Sequence, residues 1–492
     1  MVKARLIHFE TNRYAPPLRR VRVPSGKRRR SATQTDMTKG GILPQLLKFM
    51  APVVLGNLFQ QLYNLTDMFI AGRFLGANAV AAVGSVGSLM FLLIGFMMGL
   101  TSGCAVVTGQ RFGAGDYEGV KNSVVGAAII SVIMAIAGTL VGVFTLDAIL
   151  RAMRMPADIY ADGRAYIRII YLGLAANMLY NIVASLMRAV GNSKAPLYFL
   201  MLAAALNVVL DILFIAVLHM GVEGTALATV IGQGVSGAAS LIYMIKKTPI
   251  LRVSVKHWIP DFKTIRKQIA IGAPMAVQFS ITAAGIIVIQ SALNTFGVNP
   301  VAGYAAAMKV DQVIEQPIFA LGATMAIFAA QNTGAKLPNR IKKGALIMIG
   351  MVMLYGVFSI VVSRMTIEDV TRFLISGESE ERIRDIIFYA NIYTTHAITF
   401  TFILGILMLA RNALQGCGYS LFPMIGSIIE LVSRSYFATA AAARGDFGGV
   451  CLAQPITWGV TSVFLWAVFA VIFLRGPSAP KRSDKAVISK PL

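Results

Sequence analysis

Apolar residues in this chain neither alternate nor come in short bursts. They run in stretches of about twenty, one after another, from about residue 47 to residue 474. A helix rises about 1.5 Å per residue, so about twenty apolar residues cross the ~30 Å hydrocarbon core of a bilayer. Lipid offers no hydrogen bonds, so each crossing must pair its own backbone, as a helix does. A barrel strand would alternate at period two instead. The pattern predicts twelve spanning helices, at 47–72, 85–109, 122–146, 165–187, 196–218, 224–245, 268–295, 302–330, 343–363, 386–410, 418–442 and 451–474. The loops between them are mostly short and leave no room for a soluble domain. The expected fold class is an all-α polytopic membrane protein.

The pattern is also written twice. Gly76, Asn78, Val80, Ala81, Leu100, Ala105, Gln110, Gly113, Ala114 and Lys121 recur 221 residues later as Gly297, Asn299, Val301, Ala302, Leu321, Ala326, Gln331, Gly334, Ala335 and Lys342. That is ten identities in forty-six ungapped positions, where so apolar a composition would give about three or four by chance. Gly191 and Pro196 are echoed by Gly418 and Pro423, and Ala51-Pro52 by Ala273-Pro274. Six spans return the chain to its starting side, so the two copies enter the membrane in the same direction. They form parallel six-helix repeats about a pseudo-two-fold axis along the membrane normal. The expected plan is a basic, disordered tail at 1–45, a first lobe at 46–246, a loop at 247–267, a second lobe at 268–475 and a tail at 476–492. Pairs such as Gly95-x-x-x-Gly99 and Gly138-x-x-x-Gly142 allow helix backbones to approach closely.

Charge orients this bundle. The formal net charge is +23. Residues 1–45 hold eleven Lys and Arg, including Arg28-Arg29-Arg30, against Glu10 and Asp36, and residues 246–267 hold seven more. Lys336, Arg340, Lys342 and Lys343 fall on the same side if spans alternate, as does the tail. Most loop acids lie opposite, among them Glu368, Asp369, Glu378, Glu380 and Glu381. The asymmetry places both termini in the cytoplasm of a plasma (inner) membrane and explains the basic excess without nucleic acid. Residues 1–40 lack the apolar core of a signal peptide, and Met37 offers an alternative start just ahead of span 1. Cys104, Cys417 and Cys451 have no metal-binding spacing, the four histidines are scattered, and no phosphate-binding Gly-x-x-x-x-Gly-Lys-Ser/Thr run is present. No resident cofactor, enzyme site or ATP-driven step is expected.

An ionisable group inside a span costs about 2.5–3.5 kcal/mol on insertion scales, so each one calls for a reason. Span 1 carries Asp67, with Tyr63 one helical turn before it. Span 5 carries Asp211, with Asn207 one turn before it, and span 6 carries Thr229. Apart from Lys48 at the very start of span 1, no basic residue shares these spans. Two carboxylates, an amide oxygen and a hydroxyl can coordinate a hard monovalent cation such as sodium, or the acids can take up a proton. Either occupant relieves the repulsion between like charges in a low dielectric. The second half differs. Lys309, Asp311 and Glu315 lie in span 8, where Lys309 can neutralise one acid and the roles of coupling, recognition and packing stay open. Glu430 and Arg434 in span 11 are one turn apart and read as a structural ion pair. Wall residues such as Phe91, Met97, Met98 and Met178 suit lipophilic ligands and membrane lipid equally.

Tyr63-Asn64-Leu65-Thr66-Asp67 through Gly72, with Leu75-Gly76 and Ala79-Val80-Ala81-Ala82-Val83-Gly84, resembles the first-span signature of the multidrug and toxic compound extrusion (MATE) family. Gln110-Arg111-Phe112-Gly113-Ala114, Leu186-Met187-Arg188-Ala189, Asn207-x-x-x-Asp211 and Gln331-Asn332-x-Gly334-Ala335 resemble further motifs of that family. The resemblance covers about residues 41–475. It implies two lobes around a central cavity that opens alternately to each side. It also implies export of small organic, often cationic, compounds driven by inward flow of sodium ions or protons. The family's first-lobe site carries over to Asp67, Asn207, Asp211 and Thr229, lined by Tyr63 and Tyr166. One branch also uses a glutamate in span 7, but the stretch from Ala276 to Thr282 holds no acid. The chain thus resembles the branch that couples through the first lobe. The expected working unit is a monomer. The alternatives are a flippase for lipid-linked precursors, which would favour a more basic cavity, and a metabolite transporter.

Overall fold

The computed structural model describes residues 35–254, 257–375 and 379–474, and every regular element among them is helical. Residues 1–34, with Arg28-Arg29-Arg30, and 475–492, with the whole tail expected at 476–492, lie outside the described residues, as does Glu378. The first lobe comprises α1 (Ile42–Leu75), α2 (Ala77–Gly113), α3 (Tyr117–Ala152), α4 (Ala157–Leu172), α5 (Leu174–Ala189), α6 (Lys194–Asp211) and α7 (Val222–Lys247). The second comprises α8 (Phe262–Leu293), α9 (Val298–Ile314), α10 (Gln316–Gly334), α11 (Pro338–Leu374), α12 (Glu380–His396), α13 (Thr401–Cys417), α14 (Leu421–Ala443) and α15 (Phe447–Leu474).

These helices make twelve transmembrane spans, because three spans are built from two helices each. α4 and α5 meet at Gly173 with a bend of 50°. A Cβ there would lie 2.2 Å from the Val230 side chain on α7, so the close approach requires glycine. α9 gives way to α10 at Glu315, where Pro317 sits in the first turn of the new helix. α12 and α13 are joined through a 3-10 turn, Ile398–Phe400. None of these breaks interrupts the apolar runs, so hydropathy read each span as continuous. The helices also outrun the apolar stretches: α2 has 37 residues and α3 has 36. A helix keeps its backbone hydrogen bonds past the first charged side chain, where a hydropathy pattern stops.

The duplicated glycines have a backbone reason. Gly76 (φ +85°) and Gly297 (φ +92°) join the first and second spans of their lobes, with ψ near 180°. That region is open to glycine almost alone. Pro52 and Pro274 lie inside α1 and α8, the first span of each lobe.

Each lobe has its own apolar core. Met97, Leu146, Tyr171 and Met178 belong to the first lobe, and Tyr304, Tyr393 and Val450 to the second. The first described segment crosses between them: Met37, Leu46 and Phe49 are buried with Phe328, Met348 and Leu414 of the second lobe. Residues 35–45 are therefore packed and hydrogen-bonded, a correction to the disordered tail expected there. Exposed apolar side chains such as Phe69, Phe144, Leu354 and Val463 ring the outside, where lipid would meet them.

The seam between the lobes is tight at one end only. On α2, a Cβ at Gly103 would lie 2.3 Å from the Gly272 backbone of α8, and one at Gly99 would lie 2.5 Å from Ala276. Gly95 faces Phe279 at 3.1 Å. Three turns earlier on the same face of α2, Gly84 meets nothing within 4 Å, and Phe91, Ile286 and Ile287 are exposed. The lobes are pressed together over the half nearer the packed N-terminal segment and stand apart over the other.

Candidate cation and substrate site

Asp67 and Tyr63 project from α1, Asn207 and Asp211 from α6, Thr229 from α7 and Tyr166 from α4. The fold brings all six together inside the first lobe. Asn207 is the hub. With its amide nitrogen toward the acids, it donates to Asp211 Oδ2 at 3.1 Å and to Asp67 Oδ1 at 3.1 Å, and its oxygen accepts from Thr229 N at 3.3 Å. Tyr63 Oη donates to Thr229 Oγ1 at 3.1 Å. The two carboxylates lie within hydrogen-bond reach of each other. Tyr166 is buried in the adjoining core and sits close to both acids.

Local structure explains the placement. Asn207 and Asp211 are one α-helical turn apart, so both face the same way. Directly after Asp211 the helix loosens into a π turn, Ile212–Val217. Such turns recur at functional sites. Asp211 is 0% exposed, and its Oδ1 has no hydrogen-bond partner among the described residues. A buried carboxylate oxygen without a donor is a costly feature for packing alone and an available ligand for a proton or small cation. With its nitrogen toward the acids, the Asn207 amide clamps the carboxylates; turned over, its nitrogen donates to Thr229 Oγ1 at 3.4 Å and its oxygen faces the two acids as a third ligand for a cation.

The second-lobe residues separate into two groups. Asp311 is buried and accepts from Tyr393 Oη at 2.6 Å, while its Oδ1 has no partner among the described residues. Glu315 follows one turn later at the break between α9 and α10. Lys309 is exposed on another face of α9 and pairs with neither acid among the described residues, so the neutralisation expected from sequence does not occur. The Glu430–Arg434 pair is present, with Arg434 Nη2 2.5 Å from Glu430 Oε1. It is not a pair alone. Arg411 of α13 donates from Nη2 to Glu430 Oε2 at 2.8 Å, and all three side chains are buried. Gln278 of α8, with its oxygen toward Arg411, accepts from Nε at 3.0 Å and Nη1 at 3.2 Å. Sequence reading missed Arg411 because the apolar run ends at residue 410. The helix continues seven residues further, to Cys417. Tyr393 and Gln278 carried no signal, being polar residues of ordinary kind in apolar runs.

A two-lobed membrane bundle with unpaired acids in its interior defines the class of protein: a polytopic transporter rather than an enzyme. The MatE family model matches the chain twice, over residues 52–213 and 274–438, so the protein belongs to the MatE family. Among its relatives, "Probable multidrug resistance protein YpnP" of Bacillus subtilis (strain 168) is 29% identical over 306 residues, covering 62% of this chain and 68% of its own length. "Probable multidrug resistance protein YoeA" of the same organism is 26% identical over 467 residues, covering 89% and 95%. Among solved structures, a MOP superfamily transporter from Pyrococcus furiosus aligns with a TM-score of 0.85 at 21% identity, over 91% of this chain and 100% of its own. An outward-facing multidrug resistance MATE family transporter aligns with a TM-score of 0.84 at 21% identity, over 91% and 100%.

Proposed function

We propose that this protein is a secondary active antiporter. It exports small organic, often cationic, compounds in exchange for inward flow of protons or sodium ions, and its lobes rock between two openings. The observation that carries the reading is the first-lobe acid pair clamped by Asn207. Two carboxylates in hydrogen-bond reach keep that geometry with a proton or cation between them, since bare charges repel. Loss of the occupant frees the pair to separate and shifts the contacts of α1 against α6 and α7. Ion and substrate then bind with opposing effects, each favouring release of the other. The names of the relatives as multidrug resistance proteins support the substrate class. The lysine-rich faces support a cell-membrane protein with both termini in the cytoplasm.

Asn207 suits either ion: its amide nitrogen holds the acids around a shared proton, and the amide turned over presents its oxygen to a sodium ion between them. A flippase for lipid-linked phosphates would need an open basic cavity, whereas Glu430 lies between the two buried arginines of the second lobe. The test is efflux of a fluorescent organic cation from proteoliposomes, with sodium and pH gradients imposed independently. One of the two gradients is expected to drive wild-type efflux and so to identify the coupling ion. Asp67→Asn together with Asp211→Asn is expected to abolish gradient-driven efflux, and retained wild-type efflux in that double variant sinks the mechanism.

A further inference from the structure

The duplicated Gln-x-x-Gly has no part in the ion site, yet it occupies the tight end of the seam. A Cβ on Gly113 would lie 1.9 Å from the carbonyl oxygen of Gln331, and one on Gly334 would lie 1.8 Å from that of Gln110. The two copies are packed backbone against backbone, each glycine against the other's glutamine. The glutamine side chains repeat the symmetry. Gln110 Nε2 donates to Gly416 O at 3.0 Å, and Gln331 Nε2 donates to Ala189 O at 2.9 Å. Each bond crosses from one lobe to the other. Ala189 and Gly416 are themselves counterparts, each two residues before the duplicated glycines Gly191 and Gly418. The amide oxygens are also held from the start of a lobe: Lys267 Nζ donates to Gln110 Oε1 at 2.8 Å, and Met37 N donates to Gln331 Oε1 at 3.0 Å.

Residues 35–41 lie across this junction. Thr35 N donates to Gly191 O of the first lobe at 3.0 Å. Met37 is 0% exposed, and its carbonyl accepts from Asn332 Nδ2 at 3.2 Å and from Arg340 Nε at 3.0 Å. Arg340 also donates to Gly40 O at 2.9 Å, Lys39 O at 3.1 Å and Gln45 Oε1 at 2.9 Å. One second-lobe guanidinium thus gathers the segment that leads into α1 of the first lobe.

We infer that Gln110, Gly113, Gln331 and Gly334 form a two-fold gate, and that residues 35–41, held by Arg340, strap that gate shut. This rests on the alternating-access reading above. The closed gate and the cleft at the opposite end of the seam belong to one state. Opening the other way requires the strap and three inter-lobe glutamine bonds, Gln110–Gly416, Gln331–Ala189 and Lys267–Gln110, to release. The duplication then has a mechanical meaning, since only a motif present in both lobes can clasp its own copy. Glycine permits backbone contact, and glutamine supplies both a donor and an acceptor while carrying no charge of its own.

The test locks and loosens the gate. With Cys104, Cys417 and Cys451 replaced by Ser, Met37→Cys and Asn332→Cys are combined and oxidised in proteoliposomes. The cross-link is read by peptide mass spectrometry. Efflux is expected to be lost on oxidation and restored by reductant, a recovery that misfolding would not show. Full efflux by cross-linked protein, or failure of the two thiols to cross-link, overturns the proposal. In the opposite direction, Gly334→Ala or the milder Arg340→Gln should favour the open gate. Cys417, whose Sγ accepts from Thr333 Oγ1 at 3.3 Å beside the gate, is kept as the sole cysteine. It should react several-fold faster with a membrane-impermeant maleimide supplied from the gate side, and unchanged labelling in both variants overturns the proposal. Labelling and cross-linking need no ion gradient. Loss of the coupling reading through Asp67 and Asp211 would leave them standing, and the reverse holds equally.

Discussion

Asn207 shows what a single residue contributes here. Two acids on separate helices repel each other, and this one amide lies between them within hydrogen-bond distance of both. Glu430 plays the opposite part in the second lobe. It is flanked by Arg411 and Arg434, and removing it leaves two buried guanidinium groups facing each other. Glu430→Leu is therefore expected to destabilise the protein by about 3–5 kcal/mol, the usual cost of breaking a buried ion pair. Replacing Arg411, Glu430 and Arg434 together by apolar residues of similar size should restore most of that loss. Thermal unfolding in detergent checks both. A Glu430→Leu protein that melts like wild type would mean that water reaches the site. At this scale the sequence was informative where a charge interrupted an apolar run, as at Asp67, Asp211 and Asp311. It was silent at Arg411, which lies just past the apolar end of its run, and at Tyr393, whose hydroxyl gains meaning only from Asp311 on another helix.

At the scale of elements, the apolar runs gave helices but not their breaks. A span bends where a neighbour presses into it, as Val230 does at Gly173, and that neighbour is not adjacent in sequence. The joints between spans are more legible. Gly76 and Gly297 stand at equivalent turns in backbone conformations that side chains resist. Gly76→Ala and Gly297→Ala should each cost about 1–3 kcal/mol. Space is not the cause, since nothing lies within 4 Å of a Cβ at either position. Stability measurements on the two single variants check this, and a neutral result at either would mean that the turn relaxes to accommodate alanine.

The whole molecule turns duplication into mechanism. Two lobes of one topology meet at a seam that is tight at one end, and only one lobe carries the clamped acid pair. The basic side chains on the strapped end set the expected orientation. Lys336→Cys should resist a membrane-impermeant thiol reagent added to intact cells, whereas Glu380→Cys should react. Both variants are read in a background without native cysteines, and the reverse pattern would invert the topology.

The helical class, the span number, the two-fold plan and most members of the first-lobe acid cluster were legible along the chain. Each follows from local rules: apolar length for spans, the cost of buried charge for the site, and repeated letters for the repeat. What emerged only in the folded molecule is that Arg411 completes a charged triad and that residues 35–41 are packed across the seam. The inter-lobe bonds from Gln110 to Gly416 and from Gln331 to Ala189 likewise emerged only there. Those features join residues up to about 300 positions apart, and no periodicity along a chain records which distant side chains will meet once the lobes close.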